Sequence, residues 1–336
     1  MSAGNGRELS ACQGARRRHY GAFMILASQA LAPSRPLGTT DILVSPMCLG
    51  ANVFGWSATV EESNEVLGAY AELGGNFIDT ADLYAGGRSE PIIGEWMRSR
   101  GNRADMIIAT KVGKRATHRG LAPANIRSAV EASLINLQTD YIDVYFAHAD
   151  DLDVPIADTL TAFDELVRAG KVRCIAASNF TADRLREALA FSSDNGLASY
   201  VGVQDLYNLM DRHEYEDGVK PVVLEHGLAS LPYFSLANGF LTGKYLPGVT
   251  IKSPRAVDAE KYIGERGDRV LTAVESVAKD HETSLASVAL AWLLAQASVT
   301  APLVSARNVQ QLQGLVPMAG LHLTVDDLAL LTAASD

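Results

Sequence analysis

The chain has 336 residues, 48% of them hydrophobic and 20% charged, with a formal net charge of −10. That balance suits one large hydrophobic core, is too apolar for a disordered chain, and lacks the basic footprint a nucleic-acid binder needs to displace counterions from phosphates. The cysteines Cys12, Cys48 and Cys174 form no C-x-x-C pair and no metal-ligand spacing, so no metal site is expected and a reducing cytoplasm fits best. No apolar run reaches the roughly 18 residues of a membrane span.

Residues 1–34 read as a disordered extension ahead of a single domain over residues 35–336. Arg16, Arg17 and Arg18 precede a short apolar stretch, Gly21 to Ala32, in the manner of a weak secretory signal. Ser28 and Gln29 interrupt that stretch, which favours a plain tail, and Met24 is a second candidate initiator. From Arg35 onward, short apolar runs alternate with longer helical patterns. Each run has the character of a strand buried on both faces. Strands are expected near Met47–Gly50, Asn76–Asp79, Met106–Lys111, Ile142–Ala147, Val172–Ala177, Tyr200–Gln204, Ala229–Phe234 and Ala301–Val304.

Between them lie helix signatures. Thr59 and Glu62 have capping-box spacing, followed by Val66, Leu67, Tyr70 and Leu73 on one face. Ile126, Val130, Leu134 and Leu137 repeat at helical intervals. Pro155 opens a helix with Ile156, Leu160, Phe163 and Leu166 inward, and Gly170 closes it. Ala286 to Leu294 is almost wholly apolar. Most strand starts recur about every 30 residues, the βα period. The exception is the gap from Phe234 to Ala301, a loop with Pro247, Gly248, Pro254 and Gly264 followed by two helical patterns. A long insertion after a strand commonly serves a site. A closed (β/α)8 barrel and an open doubly wound sheet both satisfy this alternation.

In a barrel, site residues gather at the C-terminal strand ends. Asp79 ends the second strand, Tyr84 follows on its loop, Lys111 ends the third strand and His148 the fourth. These types suit carbonyl reduction, which needs a proton delivered to oxygen. A phenol becomes a competent acid when an ammonium favours its phenolate, and a carboxylate keeps that ammonium charged when buried. An imidazole can hydrogen-bond the substrate oxygen. Other catalytic signatures are missing: H-E-x-x-H (His213-Glu214 lacks the second histidine), G-x-S-x-G and Y-x-x-x-K. Gly86-Gly87-Arg88 reads as a turn before a helix, and Trp56 and Tyr207 as either pocket or packing aromatics.

The ordered set resembles the aldo-keto reductase superfamily over nearly the whole chain. The likeness rests on the stretches from Gly75 to Tyr84, Ile108 to Lys111, Asp140 to Tyr145, Ala177 to Phe180, Gly239 to Tyr245 and Val288 to Leu294. It implies a (β/α)8 barrel with an N-terminal β-hairpin and a long loop and helical insertion after strand seven. It further implies reduction of a small aldehyde or ketone with NADPH, NADH being possible, and a tetrad of Asp79, Tyr84, Lys111 and His148 with Tyr84 as proton donor. Ser178, Asn179 and Gln204 would hold the carboxamide, and Tyr233 would stack on the nicotinamide. Ser235, Leu236 and Lys244 would follow the pyrophosphate, and Ser305, Arg307 and Gln311 would serve the adenosine phosphate end. Three positions depart from the family pattern: Gly314 and Leu315 replace the usual acidic residue and asparagine at adenine, and Ser305 replaces glycine. The family also includes potassium-channel β-subunits, so a cofactor-binding adaptor is an alternative function. A barrel hydrolase using Asp79 and Asp205 is a further one. No sequence feature marks an oligomer interface.

Overall fold

The computed structural model describes residues 30–245 and 256–336. The expected tail therefore falls largely outside the described residues, as do Pro247, Gly248 and Pro254. Leu31 is fully buried and its amide donates to Leu73 O, and the Ser34 amide donates to Val44 O.

The described chain is a parallel barrel ringed by helices. Its strands are β1 (Cys48–Gly50), β2 (Phe77–Asp79), β3 (Ile107–Val112), β4 (Ile142–Ala147), β5 (Val172–Ser178), β6 (Tyr200–Gln204), β7 (Ala229–Ser230) and β8 (Leu303–Val304). Each pairs in parallel with its sequence neighbour, and β8 returns to β1. Closure comes between β7 and β8. Ser230 bridges Val299, the Thr300 amide donates to Ser230 O at 2.9 Å, and the Leu303 amide donates to Pro232 O at 2.9 Å. That ring of bonds rules out the open sheet. Alternate side chains fill the two sides of the wall, as a period of two requires. Phe77, Ala109, Val144, Phe146, Ala176 and Leu231 form the interior cluster, whereas Ile78, Ile108, Tyr145 and Ile175 pack outward.

A hairpin of Arg35–Pro36 and Leu43–Val44 precedes β1, as the family resemblance implied. Its Leu37, Ile42 and Val44 join the interior cluster. Arg35 donates to Val299 O and Thr300 O, tying the hairpin to the start of β8.

The helices follow the sequence marks. Helix α1 (Val60–Glu72) has the complete capping box of Thr59 and Glu62. Helices α2 (Ser89–Arg100) and α3 (Pro123–Leu137) flank β3, and α4 (Ile156–Arg168) buries Ile156, Leu160, Phe163 and Leu166. Next come α5 (Ala182–Asn195) and α6 (Lys220–His226). The crossover from β7 to β8 carries α7 (Ala256–Glu260), α8 (Glu265–Asp280) and the apolar α9 (Leu285–Leu294). Helices α10 (Val309–Leu315) and α11 (Val325–Ser335) complete the described chain. Strand seven is shorter than the run Ala229–Phe234. Beyond Ser230 only Tyr233 bridges Leu206, and Phe234 turns into the left-handed region at φ 50°, which ends strand geometry.

One buried ion cluster ties the wall together. Asp143 on β4 accepts from Arg103 and the Ile108 amide through Oδ2 and from Arg173 through Oδ1, at 2.8–2.9 Å. It thereby joins β3, β4 and β5. Removing Asp143 leaves the buried Ile108 amide without its acceptor, whereas Arg173 can turn to solvent. Asp143→Ala should cost about 2 kcal/mol, read from the urea midpoint. Asp143→Asn, which can still accept from the Ile108 amide, should cost less.

Candidate active site

At the C-terminal end of the barrel lies a cavity of about 800 Å3. It exists because β7 gives way to an irregular loop and because the insertion supplies a wall. Asp79, Tyr84 and His148 line it, while Lys111 lies fully buried behind them. All ten positions the resemblance assigns to the cofactor also line it: Ser178, Asn179, Gln204, Tyr233, Ser235, Leu236, Lys244, Ser305, Arg307 and Gln311.

The Lys111 ammonium donates to Asp79 Oδ2 at 2.7 Å, to Thr80 O at 2.7 Å and to the Tyr84 hydroxyl at 3.2 Å. The second Asp79 oxygen accepts from Gln204 Nε2 at 2.9 Å. Burial works against the Lys111 charge, but Asp79 and Tyr84 outweigh it and hold the ammonium above the usual lysine range. For Tyr84 the balance runs the other way. Burial raises the phenol above its ordinary value, and Lys111 only opposes it. The hydroxyl therefore stays protonated through neutral pH, and the ammonium matters chiefly as negative charge develops on oxygen. Burial, then Lys111 and Lys114, push His148 down to about 2, so its ring is neutral. Its Nδ1 has no partner among the described residues, and its ring meets Tyr84 edge-on at 6.0 Å.

The remaining candidates are wired to this group. Ser178 donates to Gln204 O at 2.7 Å, so it does not cap α5; Thr181 does. Asn179 donates to His148 O and Ser178 Oγ and accepts from the Tyr233 hydroxyl at 2.8 Å. Ser235 donates to Pro232 O, and Ser305 donates to Asn52 Oδ1. Lys244 lies over the Tyr245 ring, 5.0 Å from its centroid. The Arg307 amide donates to Gln311 Oε1, and Asn308, not Arg307, caps the seven-residue α10. Gly314 and Leu315 line the far end of the cavity beside Ser284 and Leu285.

Five non-glycine residues with positive φ flank the cavity: Ala85, Asn179, Phe234, Ala237 and Asn238. Such backbone costs energy and concentrates at functional sites. Asn238 also has a buried Oδ1 without a partner among the described residues. Lys244 and Arg307 on the same wall fit the phosphates of an elongated dinucleotide, and the Asn238 acceptor would suit one of its hydroxyl or amino donors.

Some lining residues carried no site assignment in the sequence. Asn52 and Val53 follow β1, and Lys114 follows β3, where strand-end position alone would have flagged them. Ser284 and Leu285 come from the insertion, where no local signal existed. Trp56 lines the cavity and is 53% exposed. Tyr207 is instead fully buried against Tyr215 and Trp292. Asp205 is not on the cavity wall and accepts from the Asn179 amide, which removes the carboxylate pair that a hydrolase would need. Gly86-Gly87-Arg88 forms the turn into α2.

The aldo/keto reductase family profile matches residues 46–336. The chain belongs to the aldo/keto reductase family. Among its relatives is norsolorinic acid reductase B of Aspergillus parasiticus, 33% identical over 86% of this chain and 80% of that protein. An aryl-alcohol dehydrogenase of Pestalotiopsis microspora is 31% identical over 89% and 79% of the two chains. A probable voltage-gated potassium channel subunit beta of Arabidopsis thaliana is 32% identical over 82% and 88%. The family assigns the chain to the oxidoreductases, on the barrel that the resemblance implied.

Asp82, two residues before Tyr84, is an unexpected member of this aldo/keto reductase's site region. It is 2% exposed, and no side chain among the described residues hydrogen-bonds its carboxylate, although the neighbouring Leu83 backbone eases it. Burial, then Glu90, raise it from 3.8 to about 7, with Arg115 pulling the other way. The fold therefore holds a proton that the unfolded chain releases, and stability declines as pH rises from the unfolded value through about 7. Asp82→Asn should stabilise the protein increasingly between about pH 5 and about pH 7, by on the order of 2 kcal/mol. Urea midpoints at both values check this; a pH-independent difference would contradict the protonated Asp82.

Proposed function

We propose that the protein reduces an aldehyde or ketone to the alcohol, with NADPH as the preferred donor and NADH as an admissible one. The observation that carries this reading is the Tyr84 hydroxyl, facing the cavity and 3.2 Å from a buried ammonium. Bound reduced nicotinamide would supply the hydride. The protein's own part is the proton. As negative charge grows on the carbonyl oxygen, Tyr84 gives up its hydroxyl proton and Lys111 stabilises the phenolate left behind. Asp79 keeps Lys111 charged. Neutral His148 can donate a hydrogen bond to the same oxygen without competing as an acid, and so fixes its angle.

Cofactor binding falls to the opposite wall. Ser178, Asn179 and Gln204 are candidates for the carboxamide, with the Gln204 amine already committed to Asp79 and its carbonyl oxygen left to accept. Tyr233 would stack on the ring, Ser235, Leu236 and Lys244 would follow the pyrophosphate, and Ser305, Arg307 and Gln311 would meet the adenosine phosphate. The Arg307 guanidinium makes no hydrogen bond or ion pair among the described residues, which suits a phosphate ligand. The exposed indole of Trp56 and the name of the aryl-alcohol dehydrogenase relative favour an aromatic carbonyl. The channel-subunit relative leaves an adaptor role as the second reading.

Tyr84→Phe should lower kcat/KM for a carbonyl panel at least ~100-fold, while NADPH still quenches tryptophan fluorescence with unchanged affinity. Full activity in that variant would refute Tyr84 as the donor. Arg307→Ala should raise KM for NADPH roughly tenfold and that for NADH far less, since a charge-assisted contact to the extra phosphate is lost.

A further inference from the structure

The cavity has an uneven charge. Among the described residues that line it Asp79 is the only carboxylate, and Lys111 and Gln204 already occupy both its oxygens. The lining cations are Lys114, Lys244 and Arg307. Lys244 follows β7 and Arg307 follows β8. Lys114 follows β3, four strands from β7 in either direction round the barrel and so across its mouth. That is the side of Tyr84 and His148, which come from the loops after β2 and β4. Lys244 and Arg307 stand where cofactor phosphates would lie; Lys114 stands where the carbonyl compound would lie.

Lys114 is held by the fold and yet unpaired. It belongs to a short antiparallel hairpin, Lys114–Arg115 with His118–Arg119, that grows directly out of β3. It makes no hydrogen bond or ion pair among the described residues, although the chain as a whole is acidic. It is close enough to His148 for its charge to act there alongside that of Lys111. Trp56 lines the same cavity and offers a flat apolar face. An aromatic body beside Trp56 with a negative group toward Lys114 would use both features. A neutral substrate would leave the ammonium without a partner.

Resting on the reductase reading above, we propose that Lys114 is a specificity-determining residue. It selects aromatic carbonyl compounds that carry an anionic oxygen substituent, a carboxylate or an ionised phenol, over neutral analogues of the same shape. The attraction is through a solvent-exposed lysine, so it is modest and screened by salt.

The test compares para-carboxybenzaldehyde with its neutral ester, methyl para-formylbenzoate. The wild-type protein should favour the acid roughly fivefold in kcat/KM, the size an exposed ion pair supports. Lys114→Gln should bring the ratio to about one, and Lys114→Glu should invert it. Added sodium chloride should shrink the wild-type preference and leave the Lys114→Gln ratio unmoved, which a purely structural lysine would not produce. A wild-type ratio at or below one, or a ratio unaltered in both variants, overturns the proposal. If neither compound oxidises NADPH, the reductase reading fails by itself. Calorimetric dissociation constants for the same two compounds then give the ratio without turnover, and the same criteria decide the role of Lys114.

Discussion

A lysine ammonium sealed from water governs this site. Left alone it would lose its proton or expel itself, because an isolated buried charge costs many kcal/mol. Here it is held by an Asp79 oxygen, a backbone carbonyl and a phenol, at 2.7, 2.7 and 3.2 Å. All three partners come from the end of β2 and the loop that follows it, and the pairing of β2 with β3 brings Lys111 to them. Gln204 extends the arrangement across the barrel by donating to the other Asp79 oxygen. The proposed acid group and the proposed cofactor wall therefore form one hydrogen-bonded unit.

The division of labour follows the strand order. The ends of β2, β3 and β4 and their loops carry the groups proposed for proton transfer, and those of β5 to β8 carry the candidates for the cofactor. The second half is also where the backbone is most strained, with Asn179, Phe234, Ala237 and Asn238 all at positive φ. Those conformations break β7 early and open the wall. Helical packing by α8 and α9 supports that irregular stretch from behind, with Val270, Val274, Val288 and Trp292 buried.

Charge is arranged as deliberately as shape. The protein is acidic overall, yet among the described residues the cavity presents cations with a single neutralised carboxylate. Free arginine and lysine side chains at opposite ends suit a long anionic ligand at one end and a small anionic one at the other. His148 stays neutral within this field because burial and two ammonium groups oppose its protonation. A charged imidazole would repel Lys111, so its neutrality protects the central pair.

The sequence by itself determined the βα repeat, the helix starts at Thr59 and Pro155, and the candidate residues at and just after strand ends. These signals are local: period-two and helical patterns, capping chemistry, and position relative to a strand. It also marked the long insertion, though not that Ser284 and Leu285 would wall the cavity. Only the tertiary structure decided the rest. Burial outweighs Lys111 at the Tyr84 phenol, Asp82 is enclosed without a side-chain hydrogen bond among the described residues, and Lys114 stands on the cavity wall without an ion pair among them. The reason is physical. Desolvation and the balance of charges depend on which surfaces meet across the barrel, and residues far apart in the chain share no pattern that announces their meeting.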